Sequence, residues 1–175
     1  MAIVPFLLNN SEVWTDLDES CMEELEKLQT LFLSNLLAVP LSCARPALSW
    51  DTKSLSMANR IAKRKLNFVV HLKSLDEDTL AKQIYDEQLK HGWPGLVSEV
   101  KELCKEMKMK DVNTKKPVKK SKWKQMIKNA VEEKNEKDLK ESISRFEKLE
   151  VMKDEKYGIK SYLNEINMHE ARTFF

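Results

Sequence analysis

Apolar positions recur at steps of three and four along most of the chain, which is the pattern of amphipathic helices. The clearest case is residues 18–39, where Asp18, Glu19 and Ser20 place a cap candidate and negative charge at the N-terminus. Pro40 ends this helix, because proline disfavours helical geometry in the residue before it. The apolar side, whose width predicts burial on two sides, holds Met22, Leu25, Leu28, Phe32, Leu36 and Val39, broadened by Leu31, Leu33 and Leu37.

Two further helices follow a connector over residues 40–54 that carries Trp50. One is predicted over residues 56–75. The next opens at Asp76 and ends at Gly92, which suits the left-handed position after a helix. The predicted core positions are Met57, Ile61, Leu66 (or Lys65), Phe68, Val69 and Leu72 in the first, and Leu80, Ala81, Ile84, Tyr85 and Leu89 in the second.

The same spacing predicts two more helices and leaves the ends of the chain less defined. A fourth helix presents Leu96, Val97, Val100, Leu103, Cys104 and Met107, and a fifth, capped by Ser121, turns Trp123, Met126, Ile127, Ala130 and Val131 inward. Residues 132–138 contain no apolar side chain, so the fifth helix either breaks there or crosses solvent. Two short helices are expected over residues 159–166 and 168–175, and the apolar segment 2–14 is either a short helix or a strand.

Composition favours an all-α fold, because the 175 residues include only 3 glycines and 5 prolines. An all-β sandwich or barrel needs a turn-forming residue roughly every 8–12 positions. We therefore predict an irregular multi-helix array of two helical lobes, residues 1–107 and 123–175, joined by a lysine-rich linker over residues 108–122.

The net charge of +2 conceals an uneven distribution. The segment from Glu12 to Glu26 has seven acids and no base, whereas the segment from Lys108 to Lys128 has nine lysines and one acid, Asp111. Lysines in an open loop contact phosphates without reading sequence, although such a run is equally often a solvated surface. The candidate phosphate-binding residues are Arg60, Lys63 and Arg64 in the second helix, and Lys115, Lys116, Lys119, Lys120, Lys122 and Lys124 around Pro117.

Two features near these lysines admit more than one interpretation. The run KKPVKKSK is similar to a nuclear-import signal, which is a pattern of low specificity. Trp123 could stack on a nucleobase, but its place in a helical stripe favours the core.

No catalytic, cofactor or metal motif is found in the sequence. Three glycines cannot build a phosphate-binding or dinucleotide-binding loop, no serine lies in a nucleophile elbow, and Asp76 and Asp78 are better explained as helix caps than as metal ligands. The histidines (His71, His91 and His169) and cysteines (Cys21, Cys43 and Cys104) lack zinc-ligand spacing. We expect no catalysis by this chain alone, no cofactor and no small-molecule substrate, a partly buried His71, and buried or inert thiols.

The apolar segments are too short for a bilayer-spanning helix, which needs about 20 residues. The apolar start of the chain has no basic flank, so secretion is disfavoured. Together with the three unpatterned cysteines, this predicts an intracellular protein, nuclear or cytoplasmic, without a membrane partner.

Three stretches resemble the reverse transcriptases of non-LTR (LINE-type) retrotransposons. AIVPFLLNNSEVW is similar to the apolar segment that follows the palm domain of those enzymes. LEKLQTLFLSNLLAVP and PALSWDTKSLSMANRIAKRKLNFVVHLKSL resemble their helical thumb and post-thumb region. SKWKQMIKNAVEEKNEKDLKESI and GIKSYLNEINMHEARTFF resemble the helical stretch that precedes a Cys/His cluster.

The resemblance implies a thumb-like fragment, separated from its catalytic part. The palm domain with its Tyr/Phe-x-Asp-Asp motif and the downstream Cys/His cluster have no counterpart in this sequence, so no catalytic or metal residue carries over. The abrupt apolar ends of the chain are expected of such a fragment. Residues 1–107 would form the thumb-like lobe, and the partners implied are an RNA or DNA backbone and the missing palm domain of the parent polyprotein.

Two alternatives to a nucleic-acid-binding fragment remain. The wide apolar side of residues 22–39 and the acidic segment from Glu12 to Glu26 are typical of a helical protein-interaction module. An inert retroelement relic without a selected role is also compatible with the sequence.

Overall fold

The chain is all-α in a computed structural model that describes residues 7–112, 119–154 and 157. The described residues form six α-helices and two short 3₁₀ segments, Ser11–Val13 and Glu147–Asp154. The helices are α1 (Glu19–Leu37), α2 (Arg45–Asp51), α3 (Met57–Leu72), α4 (Leu80–His91), α5 (Leu96–Glu106) and α6 (Lys120–Ser144). The short helices predicted over residues 159–166 and 168–175 lie outside the described residues.

Contacts divide the chain into two compact units, each built from separate stretches of sequence. Unit 1 combines Met1–Leu17 with Ala58–Glu133, and unit 2 combines Asp18–Met57 with Lys134–Phe175. These units interleave along the sequence, whereas the predicted lobes are continuous. The predicted lobes and the linker between them stay a prediction, and residues 113–118 of the linker lie outside the described part of the chain.

The first helix begins and ends where its sequence signals predict. The Asp18 carboxylate accepts a hydrogen bond from the backbone N–H of Cys21 at 2.6 Å, which satisfies one of the free donors of the first turn. This backbone hydrogen bond is the main reason that the pKa of Asp18 lies below its ordinary value. At the other end Ala38 takes a left-handed conformation (φ 52°), two residues before Pro40.

The buried line of α1 differs from its predicted apolar side. Gln29, Leu33 and Ser34 are buried, whereas Leu28 and Leu31 keep 45% and 42% of their surface exposed. Gln29 tolerates burial because its side-chain amide donates to the Leu55 carbonyl at 2.8 Å. The expectation of burial on two sides of this helix is therefore wrong for Leu28 and Leu31.

The connector between the first two predicted helices contains α2, which periodicity could not show because the helix has only seven residues. Pro46 lies in its first turn, where its missing N–H costs no hydrogen bond. Trp50 is 1% exposed, and its ring lies 5.0 Å from that of Tyr157 at an interplanar angle of 57°. The contact of buried Trp50 with the half-buried Tyr157 thus anchors this short helix within unit 2.

Side chains from two helices of unit 2 hold the segment that leads into α3. A Glu26 carboxylate oxygen accepts from the Met57 N–H at 2.7 Å. From α6, the Asn135 side chain accepts from the Ser56 N–H at 3.0 Å and donates to the Ser54 carbonyl at 3.2 Å. These polar contacts satisfy backbone groups that no helix pairs.

The core side of α3 follows the predicted spacing closely. Met57, Leu66 and Val69 are completely buried, and Ile61 and Leu72 nearly so. His71 is exposed, contrary to the expectation of a partly buried core histidine. Its neighbours Val70 and Leu72 are both 4% exposed, so His71 lies on the solvent side of a turn whose other side is in the core.

The core stripe predicted for α4 is largely wrong. The helix begins at Leu80 rather than Asp76, and Leu80 and Ile84 are 69% and 52% exposed. Only Tyr85 of the predicted stripe is buried, and burial raises the pKa of its hydroxyl. The predicted end is confirmed, since Gly92 follows the helix with a left-handed φ of 66°.

The last two helices keep their predicted core positions. In α5, Val97, Val100 and Cys104 are buried, as are Trp123, Ile127 and Val131 in α6. Ser121 lies inside α6, whose first residue is Lys120. The helix continues without a break through residues 132–138, where Asn135 is buried at 1% exposure.

Candidate nucleic-acid interface

The cations of α3 are largely engaged within the fold. Arg64 contacts a Glu12 carboxylate oxygen at 3.0 Å through both its Nε and Nη2 atoms. Arg60 also interacts with another group, and Lys63 is half-buried without an ion pair to a described residue. A paired cation must give up its partner before it binds a phosphate, so this cluster is a weak candidate for that role.

Lys65, which adjoins this cluster, is drawn into the interior. Its side chain is 9% exposed, and its ammonium pairs with the Glu99 carboxylate of α5 inside unit 1. A carboxylate partner is what makes a lysine tolerable at such a depth. Lys65 is therefore a structural residue rather than a phosphate contact.

The lysines at the start of α6 have a different environment. Lys119, Lys120, Lys122 and Lys124, here called the α6 lysine cluster, are all exposed. Among the described residues, none of these four forms an ion pair with an acid. Lys115 and Lys116, the remaining candidates, lie outside the described residues.

Charge is divided sharply along α6. Residues 119–131 include five lysines and no acid, whereas residues 132–144 include five acids and three lysines. The second part forms ion pairs within the helix, Lys134 with Asp138 at 3.4 Å and Lys140 with Glu136 at 2.7 Å. The first part places lysine charges at the N-terminus, which is the positive end of the helix dipole. A nearby anion would reduce the resulting repulsion.

One contact links the α6 lysine cluster to the end of α3. The Lys120 ammonium lies 3.2 Å from the Ser74 hydroxyl. The neighbouring Lys73 donates to the Val112 carbonyl at 2.7 Å, and its pKa is lowered by burial and by the nearby charge of Lys82. The turn that follows Ser74 carries three acids, namely Asp76, Glu77 and Asp78.

Sequence reasoning did not single out Lys73 or Lys128 for this surface. Lys128 is exposed and follows Lys120 and Lys124 at steps of four, so the three lie along one side of α6. The sequence spacing alone could therefore have identified Lys128. No sequence pattern identifies Lys73, because it contacts Val112, which is 39 residues away.

The aromatic residue beside the cluster is part of the core. Trp123 is 4% exposed, so its ring does not stack on an incoming base. The core interpretation of this residue is confirmed.

The histidine and cysteine side chains offer no metal site in the described part of the chain. No group of three or more His, Cys, Asp or Glu side chains there could hold a metal ion. Cys104 is buried, which raises its pKa, whereas Cys21 is exposed and its pKa is raised mainly by its hydrogen bond with Asp18. The expectation of buried thiols fails for Cys21, although its raised pKa lowers its thiolate content.

A separate groove of about 860 Å³ lies in unit 2. Its apolar wall includes Leu28, Leu31, Leu41 and Phe146, each more than two-fifths exposed. Arg45, Lys27 and Glu23 lie among its charged lining residues. An exposed apolar groove with a charged rim has the composition of a protein-docking surface.

Comparison with protein-family models, curated proteins and solved structures finds no significant match to this chain. Within residues 7–112 and 119–154, none of the helices is both long and apolar enough to cross a bilayer.

Proposed function

We propose that the chain is a non-catalytic helical fragment of a retrotransposon reverse transcriptase that contacts the phosphate backbone of RNA or DNA. The observation that carries the binding proposal is the α6 lysine cluster, which is exposed and has no ion pair with a described acid. The reverse-transcriptase origin is supported by the resemblance of the thumb-like and C-terminal stretches. The nuclear-import interpretation of KKPVKKSK is compatible with this role.

The cluster suits phosphate contact without sequence readout. A lysine ammonium is a compact charge on a flexible stem, and it approaches phosphate oxygens from many directions. Each phosphate that is neutralised releases condensed counterions, so the affinity falls steeply as salt rises. The α3 cations contribute less, because Arg64 and Lys65 already have carboxylate partners.

Replacement of Lys119, Lys120, Lys122 and Lys124 by glutamine tests this proposal. Glutamine removes the charge and keeps a good helix former. For a single-stranded RNA, we expect the plot of log affinity against log salt to become shallower by about 3, since each phosphate contact contributes about 0.7. The measurement is fluorescence anisotropy over a series of salt concentrations.

A matched pair of variants separates the cluster from net charge. Lys122→Gln with Lys124→Gln and Lys137→Gln with Lys140→Gln each remove two charges from exposed positions of α6. We expect the first pair to weaken binding about tenfold at low salt and the second to change it less than twofold. Equal effects of the two pairs, or no binding by the wild-type chain at low salt, would contradict the proposal.

The groove in unit 2 favours a second candidate function, a helical protein-interaction module. Leu31→Ser and Phe146→Ser should each lower the free energy of unfolding by only about 1 kcal/mol, because only about half of each residue's surface is covered. If the groove docks a partner, both variants lose a stoichiometric complex detected by analytical ultracentrifugation, and the lysine variants keep it. Loss of nucleic-acid binding in the groove variants would count against this second function.

A further inference from the structure

Trp93 is the exposed tryptophan of this chain. Trp50 and Trp123 are buried, Trp14 is partly covered, and Trp93 keeps 54% of its surface accessible. Its ring also stacks on the imidazole of His91, with centroids 5.0 Å apart and planes 16° from parallel. More than half of the Trp93 surface thus remains open although one ring neighbour is already in place.

The turn between α4 and α5 restricts the backbone on both sides of Trp93. Gly92 ends α4 in the left-handed conformation, and its N–H donates to the Gln88 carbonyl at 2.9 Å. Pro94 restricts the backbone on the other side of Trp93. Gly95 then takes a φ of 136°, a conformation that favours glycine, and its N–H donates to the Ser98 hydroxyl at 3.0 Å.

The second ring of the pair is also held in place. The His91 Nε2 lies 3.0 Å from a Glu87 carboxylate oxygen, and the other Glu87 oxygen lies 3.5 Å from the Lys90 ammonium. Because both rings are positioned in advance, a flat ligand that stacks on them loses little additional freedom to side-chain ordering.

We propose that Trp93, supported by His91, is a stacking platform for an unpaired base of a single-stranded nucleic acid. Every base has a flat π-face, and stacking on an exposed aromatic side chain binds it with little regard to sequence. Trp93 and the α6 lysine cluster both belong to unit 1, which would then supply base stacking as well as phosphate contacts. This inference rests on the proposed phosphate-binding function.

The test compares two single strands with the same number of phosphates, an oligothymidylate and a fully abasic strand. We expect the full-length chain to bind the oligothymidylate about tenfold more tightly, because one stacked base has an effect of that order. Trp93→Ala should abolish this preference and leave the affinity for the abasic strand within twofold. Trp93→Phe should retain most of the preference, and binding of oligothymidylate should quench tryptophan fluorescence in the wild type but not in Trp93→Phe.

Phe146→Ala is the matched control, since Phe146 is exposed to a similar extent (48%) but lies in unit 2, and it should keep the preference. Equal affinity of the wild type for the two strands would overturn the platform while leaving the lysine proposal intact. A salt dependence that is unchanged in the lysine variants would instead overturn phosphate binding by the cluster.

Discussion

Replacement of Asn135 by alanine is expected to lower the free energy of unfolding by about 3 kcal/mol. The side chain is 1% exposed and forms hydrogen bonds with the Ser56 N–H, the Ser54 carbonyl and the Tyr157 hydroxyl. The alanine variant loses these three hydrogen bonds. The Ser54 and Ser56 backbone groups then lack this partner, and water reaches them only in part. Urea unfolding followed by circular dichroism measures the change.

Asn135→Leu separates the hydrogen bonds from the volume of the side chain. Leucine fills the space but offers no donor or acceptor, so its effect should be at least as large as that of alanine. Asn129→Ala is the control on the same helix, because Asn129 is exposed and bonds only to Gln125 among the described residues, at 2.7 Å. We expect a change below about 0.5 kcal/mol there. A mild Asn135→Leu variant would show that volume, not hydrogen bonding, explains the alanine result.

The ion pair between Lys65 and Glu99 should show strong non-additivity. Glu99→Ala leaves a lysine of 9% exposure without its partner, and we expect a loss of about 3 kcal/mol in the free energy of unfolding. Lys65→Met should cost less, about 1–2 kcal/mol, because the Glu99 side chain is 25% exposed and water still reaches it. The same urea experiment measures both losses.

The double variant Lys65→Met with Glu99→Ala should recover most of the stability, since an apolar pair carries no buried charge. Lys140→Met removes one partner of an exposed pair, with side chains 60% and 38% accessible, and should change stability by less than about 0.5 kcal/mol. If the two single losses at Lys65 and Glu99 simply add in the double variant, the ion pair is not what couples these positions.

Spacing and capping signals predicted most helices because both are local. The helix predicted over residues 18–39 is observed as Glu19–Leu37 with Asp18 as its N-cap, and Gly92 ends α4 as expected. Spacing shows which residues share a side but not whether another element covers that side. Leu80 and Ile84 are therefore exposed despite their regular step of four.

The candidate site was predictable to the extent that it depends on sequence neighbours. The lysine run around Lys120 could be found by counting charges along the sequence. The engagement of the α3 cations could not be anticipated, because Arg64 and Lys65 find partners 52 and 34 positions away. The stacking of Trp93 on His91 could not be predicted either, because it depends on the geometry of the turn that contains Gly92 and Pro94.

The side chain of Asn135 provides hydrogen-bond partners for a segment that is synthesised long before it. Ser54 and Ser56 precede Asn135 by 81 and 79 residues, so their backbone groups have no native side-chain partner from α6 until that helix emerges. At translation rates of about 5–20 residues per second, the delay is roughly 4–16 s. Until then these contacts with α6 cannot form, and closure of this long loop is a late step in the folding of the nascent chain.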